Sequence, residues 1–166
     1  MILIPKSYFI TSGVGEDEIS EINAFDLALL NAGIANYNWV QVSSILPLDA
    51  SLDENKKLPK EGAILFCVMA RMDGKQGEEI QSGIAIGLCK DNENKSYGLI
   101  IESNLIDCDG ELIEDKLNSK LKKMSEIRKL NIVDKKINLS KRIKISKKFG
   151  TTISIVIFND YNIYNY

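Results

Sequence analysis

A chain of 166 residues with no histidine must do any chemistry with carboxylates, hydroxyls, amides or lysines. That excludes Ser-His-Asp and Cys-His nucleophile activation, His-ligated metals, and the one side chain that titrates near neutrality unaided. Two spacings that suggest ligand sites fail on inspection. Ser12-Gly13-Val14-Gly15 is glycine-rich, but no Gly-Lys-Ser/Thr follows, so it is not a P-loop. Asp107 and Asp109 open like an EF-hand, yet the sixth position is Leu112, where glycine is needed. The Asp-Cys-Asp-Gly run reads as a turn instead. Cys67, Cys89 and Cys108 are an odd count at wide spacing, which predicts neither a disulfide framework nor a zinc site, and a reducing cytoplasm as the location. No metal is expected. Ser43-Ser44, taken alone, is a pair of hydroxyls at a strand end.

The elements that must carry such groups are legible. The length fits one domain, 1–166, and 45% apolar against 27% charged residues excludes a disordered chain and a membrane span. Met-Ile-Leu-Ile at the start is cut short by Pro5 and Lys6, too brief for the apolar region of a signal peptide. Residues 7–10 predict a short strand, followed by an acidic, glycine-containing loop from Thr11 to Glu18. Asn23 is a candidate N-cap for a helix placing Phe25, Ala28, Leu29 and Ala32 at helical spacing, with Gly33 as its stop. Residues 37–46 are rich in β-formers, and Pro47 ends the run. Strands follow at Ala63–Met72, around Ile80–Leu88 and at Tyr97–Glu102, separated by turns at Asp73–Gly77 and Asp91–Asn94. Ile113, Leu117, Leu121 and Met124 form the stripe of an amphipathic helix, and strands near Arg142–Ser146 and Thr151–Phe158 close the chain. Helices covering largely antiparallel sheet make this an α+β fold.

Charge is distributed unevenly. Residues 1–115 carry a net −12 and residues 116–148 a net +11. A block this basic can meet nucleic acid, an acidic partner or a membrane surface. The plainer reading, a solvated lysine face plus strand edges protected by lysine, is preferred, because no aromatic side chain interleaves the block for base stacking. Lys122 and Lys123 fall on the far side of the helix from its stripe, and Lys120 at the stripe's edge.

Asn-Ala-Phe-Asp at 23–26, Leu-Leu-Asn-Ala-Gly-Ile at 29–34 and Val-Ser-Ser-Ile-Leu-Pro at 42–47 stand in one frame. They are followed by Lys57-Leu58-Pro59, Gly62-Ala63, Gly77-Glu78 and Gly98-Leu99-Ile100-Ile101-Glu102. Together these resemble the pyruvoyl-dependent arginine decarboxylases over roughly residues 8 to 130, with Ser43-Ser44 at the self-cleavage site. The resemblance implies a four-layer α/β/β/α sandwich of mainly antiparallel sheets, as in the pyruvoyl-dependent histidine and arginine decarboxylases. It also implies self-cleavage into a 1–43 β chain and a 44–166 α chain, leaving a covalently bound pyruvoyl group derived from Ser44. Arginine would then lose CO₂ through a Schiff base to that ketone, which does without pyridoxal phosphate and needs no histidine. Agmatine, the product, feeds polyamine synthesis or acid resistance.

The implied roles map onto single residues. Ser43 donates the cleaved carbonyl and Ser44 becomes the cofactor. Asn38 polarises that carbonyl or holds its oxyanion, or else simply ends a turn after Gly33. Six residues separate Asn38 from Ser44, roughly 20 Å along a regular strand. They meet only if the chain bends sharply or a neighbouring subunit supplies one of them, as in a trimer or dimer of trimers with sites between protomers. Glu102, after three apolar residues, is the candidate acid that reprotonates the substrate carbon, or a strand-end carboxylate in water. Asp26 matches the acidic residue facing the arginine guanidinium, or is a first-turn aspartate favouring the helix dipole. Leu29 and Ile45 would be apolar pocket walls. Ala35 stands where a pocket glycine is expected, and Tyr37 replaces a smaller aliphatic residue, so both bear on substrate choice. The alternatives are a decarboxylase of another amino acid, or a non-processing homologue serving as an assembly subunit or binding nucleic acid through 116–148.

Overall fold

The computed structural model describes residues 1–93, 96–107 and 112–165. Asn94 of one predicted turn, and Cys108, Asp109 and Gly110 of the rejected calcium loop, lie outside the described residues. Two sheets stack face to face. The first runs β2 (Asn38–Gln41), β5 (Ile64–Lys75), β10 (Phe149–Tyr164), β1 (Ile2–Asp17) and β4 (Ser51–Leu52). The second runs β3 (Ile45–Leu46), β7 (Ser96–Ile106), β6 (Glu79–Lys90) and β8 (Asn131–Leu139), with β9 (Ile143–Lys144) pairing the start of β6. Helix α1 (Glu21–Asn31) covers the first sheet, and α2 (Ile113–Ile127) the second.

Alternation along the strands builds three apolar layers. On β10, Ile153, Ile155 and Ile157 pack with Phe9, Ala28 and Leu29 beneath α1. Val156 and Phe158, pointing the other way, meet Ile84, Ile86 and Ile100 between the sheets. Leu99 and Leu105 of β7 pack against Leu117 and Leu121 of α2. Because β10 is buried on both faces, it reads as a nearly continuous apolar run. The result is the expected α/β/β/α sandwich.

Four local expectations are corrected. The predicted loop Thr11–Glu18 continues β1 to Asp17, paired with β10 throughout. Its glycines serve packing: a Cβ on Gly13 would lie 2.0 Å from the Ala28 carbonyl oxygen, and one on Gly15 2.2 Å from that of Ala24. Only bare backbone lets α1 lie this close. The N-cap of α1 is Ser20, whose hydroxyl accepts from the Asn23 N–H, so Asn23 is already inside the helix. The predicted turn at Asp73-Gly74 belongs to β5, because pairing with β10 carries the strand on to Lys75. Finally, β8 emerges inside the basic block as an edge strand, exposed from Asn131 to Lys136 and showing apolar alternation only at Ile137 and Leu139. Lysines on an exposed edge strand and on α2 fit the solvated reading of that block.

Candidate active site

Residues 37–46 are not one strand. β2 runs parallel to β5, Asn38 opposite Ile64 and Gln41 opposite Cys67, and Val42 donates to the Cys67 carbonyl at 2.9 Å. β3 then pairs with β7 in the other sheet, Ile45 opposite Leu99 and Leu46 opposite Gly98. Ser43 and Ser44 are thus the link that crosses from one sheet to the other, with a bend at Ser44. Leu46, fully buried between the sheets, anchors the far side of the crossing. Gly98 makes room for it, since a Cβ there would sit 2.7 Å from the Leu46 Cβ. The Ser44 carbonyl accepts from Ile100 N–H at 2.8 Å. The Ser43 carbonyl accepts from Ile45 N–H at 3.0 Å, closing a three-residue turn around Ser44. The peptide between the two serines therefore lies outside the regular ladders, with its carbonyl already polarised by a backbone donor.

Glu102 follows Ile100 by two residues on the same face of β7, about 7 Å along the strand, opposite Ile84 of β6. Partial burial raises its carboxyl above the ordinary range, and Lys120 of α2 pulls it the other way. The Lys120 ammonium donates to the Glu102 main-chain carbonyl and to the Ser103 hydroxyl, each at 3.1 Å. Two residues further on, the Asn104 amide donates to the Arg71 carbonyl at 2.8 Å, tying β7 to β5 across the sheets.

The remaining candidates gather elsewhere. Leu29 is buried under α1, with Ala35, Tyr37 and Trp39 packed around it. Tyr37 donates to the Pro59 carbonyl at 3.1 Å and meets Trp39 edge-on at 6.1 Å. Ala35 and Tyr37 line a concavity of about 240 Å³ with Leu30 and Ile34. Asp26 is exposed one turn before Leu29. The helix starts at Glu21, so Asp26 falls in its second turn and the first-turn dipole explanation does not hold. Asn38 is exposed and donates to the Gly62 carbonyl at 2.9 Å.

The structure thus brings Ser43, Ser44, Ile45 and Glu102 together at the edge where the two sheets meet. It brings Leu29, Ala35 and Tyr37 together on the outer face of the first sheet, with Asp26 above them. The first sheet stands between the groups. About 13 Å of regular strand separates Asn38 from Val42. Sequence reasoning missed three features: the Ile45 N–H on the Ser43 carbonyl, the grip of Lys120 on β7, and the buried Trp39 indole N–H, which has no partner among the described residues. Only Lys120 left a signal, at the edge of the stripe on α2.

Among the described residues no group of three or more Cys, Asp or Glu side chains is disposed to hold a metal. Cys67 and Cys89 are buried free thiols. No helix among the described residues is long and apolar enough to cross a membrane. What the arrangement offers is a hydroxyl beside a polarised peptide carbonyl, with a carboxyl of raised affinity for its proton nearby. These residues fit a carbonyl group made from Ser44, because its precursor needs that hydroxyl and a bent, accessible peptide.

A family model described as pyruvoyl-dependent arginine decarboxylase matches residues 7–163. Among curated proteins the chain is similar to pyruvoyl-dependent arginine decarboxylase 2 of Archaeoglobus fulgidus, 41% identical over 101 residues. That match takes in 58% of this chain and 64% of the relative, a little under two thirds of its length. The pyruvoyl-dependent arginine decarboxylase of Methanothermobacter thermautotrophicus is 33% identical over 129 residues, covering 77% of this chain and 80% of that one. The Methanococcus vannielii protein of the same description is 32% identical over 124 residues, covering 75% and 73%.

Proposed function

The chain belongs to the pyruvoyl-dependent arginine decarboxylase family, and from that premise we propose that it cleaves itself between Ser43 and Ser44 and converts L-arginine to agmatine and CO₂. The observation that carries the reading is the Ser43 carbonyl, held by the Ile45 N–H in the bend that joins the two sheets. Attack of the Ser44 Oγ on that carbonyl moves the acyl group from nitrogen to oxygen, and the Ile45 N–H holds the oxyanion as it forms. β-Elimination of the ester releases Ser43 as a carboxylate, and hydrolysis of the dehydroalanine left at residue 44 gives the pyruvoyl group and ammonia. That group supplies the electron sink that loss of CO₂ requires.

The other residues bind and protonate. Glu102, whose carboxyl partial burial raises above its ordinary range, returns a proton to the substrate carbon. Asp26 receives the guanidinium, whose planar, permanent charge a carboxylate matches. Leu29 and Ile45 supply the apolar walls, and Ala35 and Tyr37 set the pocket's width. Because the Asp26 group and the Ser44 group lie on opposite sides of the first sheet, the site forms between protomers of a trimer or a dimer of trimers. One protomer then brings α1 with Asp26 and Leu29, plus Asn38, to Ser44 and Glu102 of the next.

Intact mass and a denaturing gel test the processing. The 166-residue domain should appear as fragments 1–43 and 44–166, the larger with a carbonyl-blocked N-terminus, while the native protein stays one species. Ser44→Ala should stay whole, because elimination needs the side-chain oxygen. A wild-type chain that remains single after long incubation, with no arginine turnover, would refute the proposal.

A further inference from the structure

We propose that Lys120 is a positioning residue for Glu102, holding the open edge of β7 from α2 so that the carboxyl is presented beside Ser44. The inference rests on the reading of Glu102 as the reaction's acid and deepens it. β3 pairs with β7 only at Leu99 and Gly98, and the Ile100 N–H is taken by the Ser44 carbonyl. Main-chain groups of alternate residues point to the same edge of a strand, so the Glu102 carbonyl faces the side where β3 has ended. Lys120 takes the place of the missing strand there, its ammonium reaching that carbonyl and the Ser103 hydroxyl at 3.1 Å each. Ser103 itself is only 4% exposed between β7 and α2. The lysine therefore spans from the helix to an edge that would otherwise be free to shift, at the residue that must meet the substrate carbon.

Its charge acts on the same carboxyl. The titratable and charged groups around Glu102 are few. From α2 come Lys120 and, a turn earlier around the same concavity, Lys116 and Asp115. From β5 comes Cys67, whose thiol is pushed up to about 12 by burial and then by the Glu102 charge, while the Arg71 guanidinium lies over the Phe25 ring of α1 on the other face of that sheet. β6 offers Ile84, and the crossing segment offers the two serines. Burial favours the neutral carboxyl and Lys120 the ionised one, so Glu102 titrates between these limits.

The test compares Lys120→Met, Lys120→Arg and, as a control on the same helix, Lys123→Met. The first readout does not need activity: the ¹³C resonance of the Glu102 carboxyl, assigned by its loss in Glu102→Gln, followed against pH. In Lys120→Met that titration should move to higher pH, with Lys120→Arg restoring it and Lys123→Met leaving it in place. In the decarboxylase assay, kcat should fall about three- to tenfold for Lys120→Met, the scale of about one net hydrogen bond lost from positioning, while KM for arginine stays. The alkaline limb of the kcat profile should follow the resonance upward. A Glu102 titration that ignores Lys120→Met overturns the inference. A resonance that moves while the kcat profile stays keeps the link between the two residues and overturns Glu102 as the acid.

Discussion

Separation of the two residue groups by the first sheet makes a quantitative forecast about mixed oligomers. In the proposed site Asp26→Asn removes the charge-assisted pair with the guanidinium, worth about 1.5–3 kcal/mol, which should raise KM for arginine roughly ten- to a hundredfold. Glu102→Gln cannot deliver a proton and should lose about 10²–10⁴-fold in kcat. Measured well below KM, the two parents then run at no more than about 10% and about 1% of wild type. In a cyclic trimer whose sites take Asp26 from one protomer and Glu102 from the next, every mixed trimer has about one site in three intact. Activity of the purified mixed assembly should recover to about a third of wild type. If each chain instead closed its own site, every site would keep one lesion, and the mixture would run at the parental mean of about 5%. Co-expression of differently tagged variants, tandem purification of the mixed assembly and a ¹⁴CO₂ release assay decide the matter. Parental activity in mixed oligomers, with both subunits fully processed, would refute the intersubunit site.

Two further outcomes follow from individual contacts. With Glu102 as the proposed acid and burial raising its pKa, kcat should hold at low pH and fall as pH rises through that value; Glu102→Gln should lose this limb altogether while still self-cleaving. Gly13→Ala forces a methyl to within 2.0 Å of the Ala28 carbonyl oxygen, which helix backbone cannot yield, so it should destabilise by about 2–3 kcal/mol and lower Tm by roughly 5–10 °C, an unchanged melting curve arguing against the close docking of α1.

The sandwich was legible because its central strands are written plainly: Ile153 to Phe158 and the Ile84, Ile86, Leu88 alternation need cover on both faces or on one. What was illegible follows from interactions that composition does not carry. Gly13 and Gly15 signal a loop by propensity, but here long-range pairing with β10 overrides propensity, and the absent Cβ serves the helix. β8 hides because lysines and asparagine occupy an exposed edge, where no apolar alternation is required. Ser20 and Asn23 are both good caps, and only the fold decides which carries the role. At the site, the residue types were readable one by one, whereas their grouping was not. Adjacent in sequence, Tyr37 lies in the bend before β2 and packs toward the layer under α1, while Asn38 opens β2 and spends its amide on the Gly62 carbonyl.

The proposed cut lies where a protein of this design would survive it. Fragment 1–43 carries β1, α1 and β2, and β1 is paired with β10 over its whole length, between Ile2–Tyr164 and Asp17–Phe149. β2 stays paired with β5. Breaking the Ser43–Ser44 bond therefore removes none of the sheet pairing that holds the fragment, and the apolar layer under α1 keeps it docked. At the link, the Ile45 to Ser43 and Val42 to Cys67 hydrogen bonds both join the two fragments, while the one from Ile100 to the Ser44 carbonyl stays within the larger fragment. A cut two residues earlier would part β2 from Val42, which donates to the Cys67 carbonyl, and one two residues later would split β3 between Ile45 and Leu46, the residue buried in the core between the sheets. The crossing link is thus the place where the chain can be opened, and a reactive terminus freed, at the smallest cost to the fold.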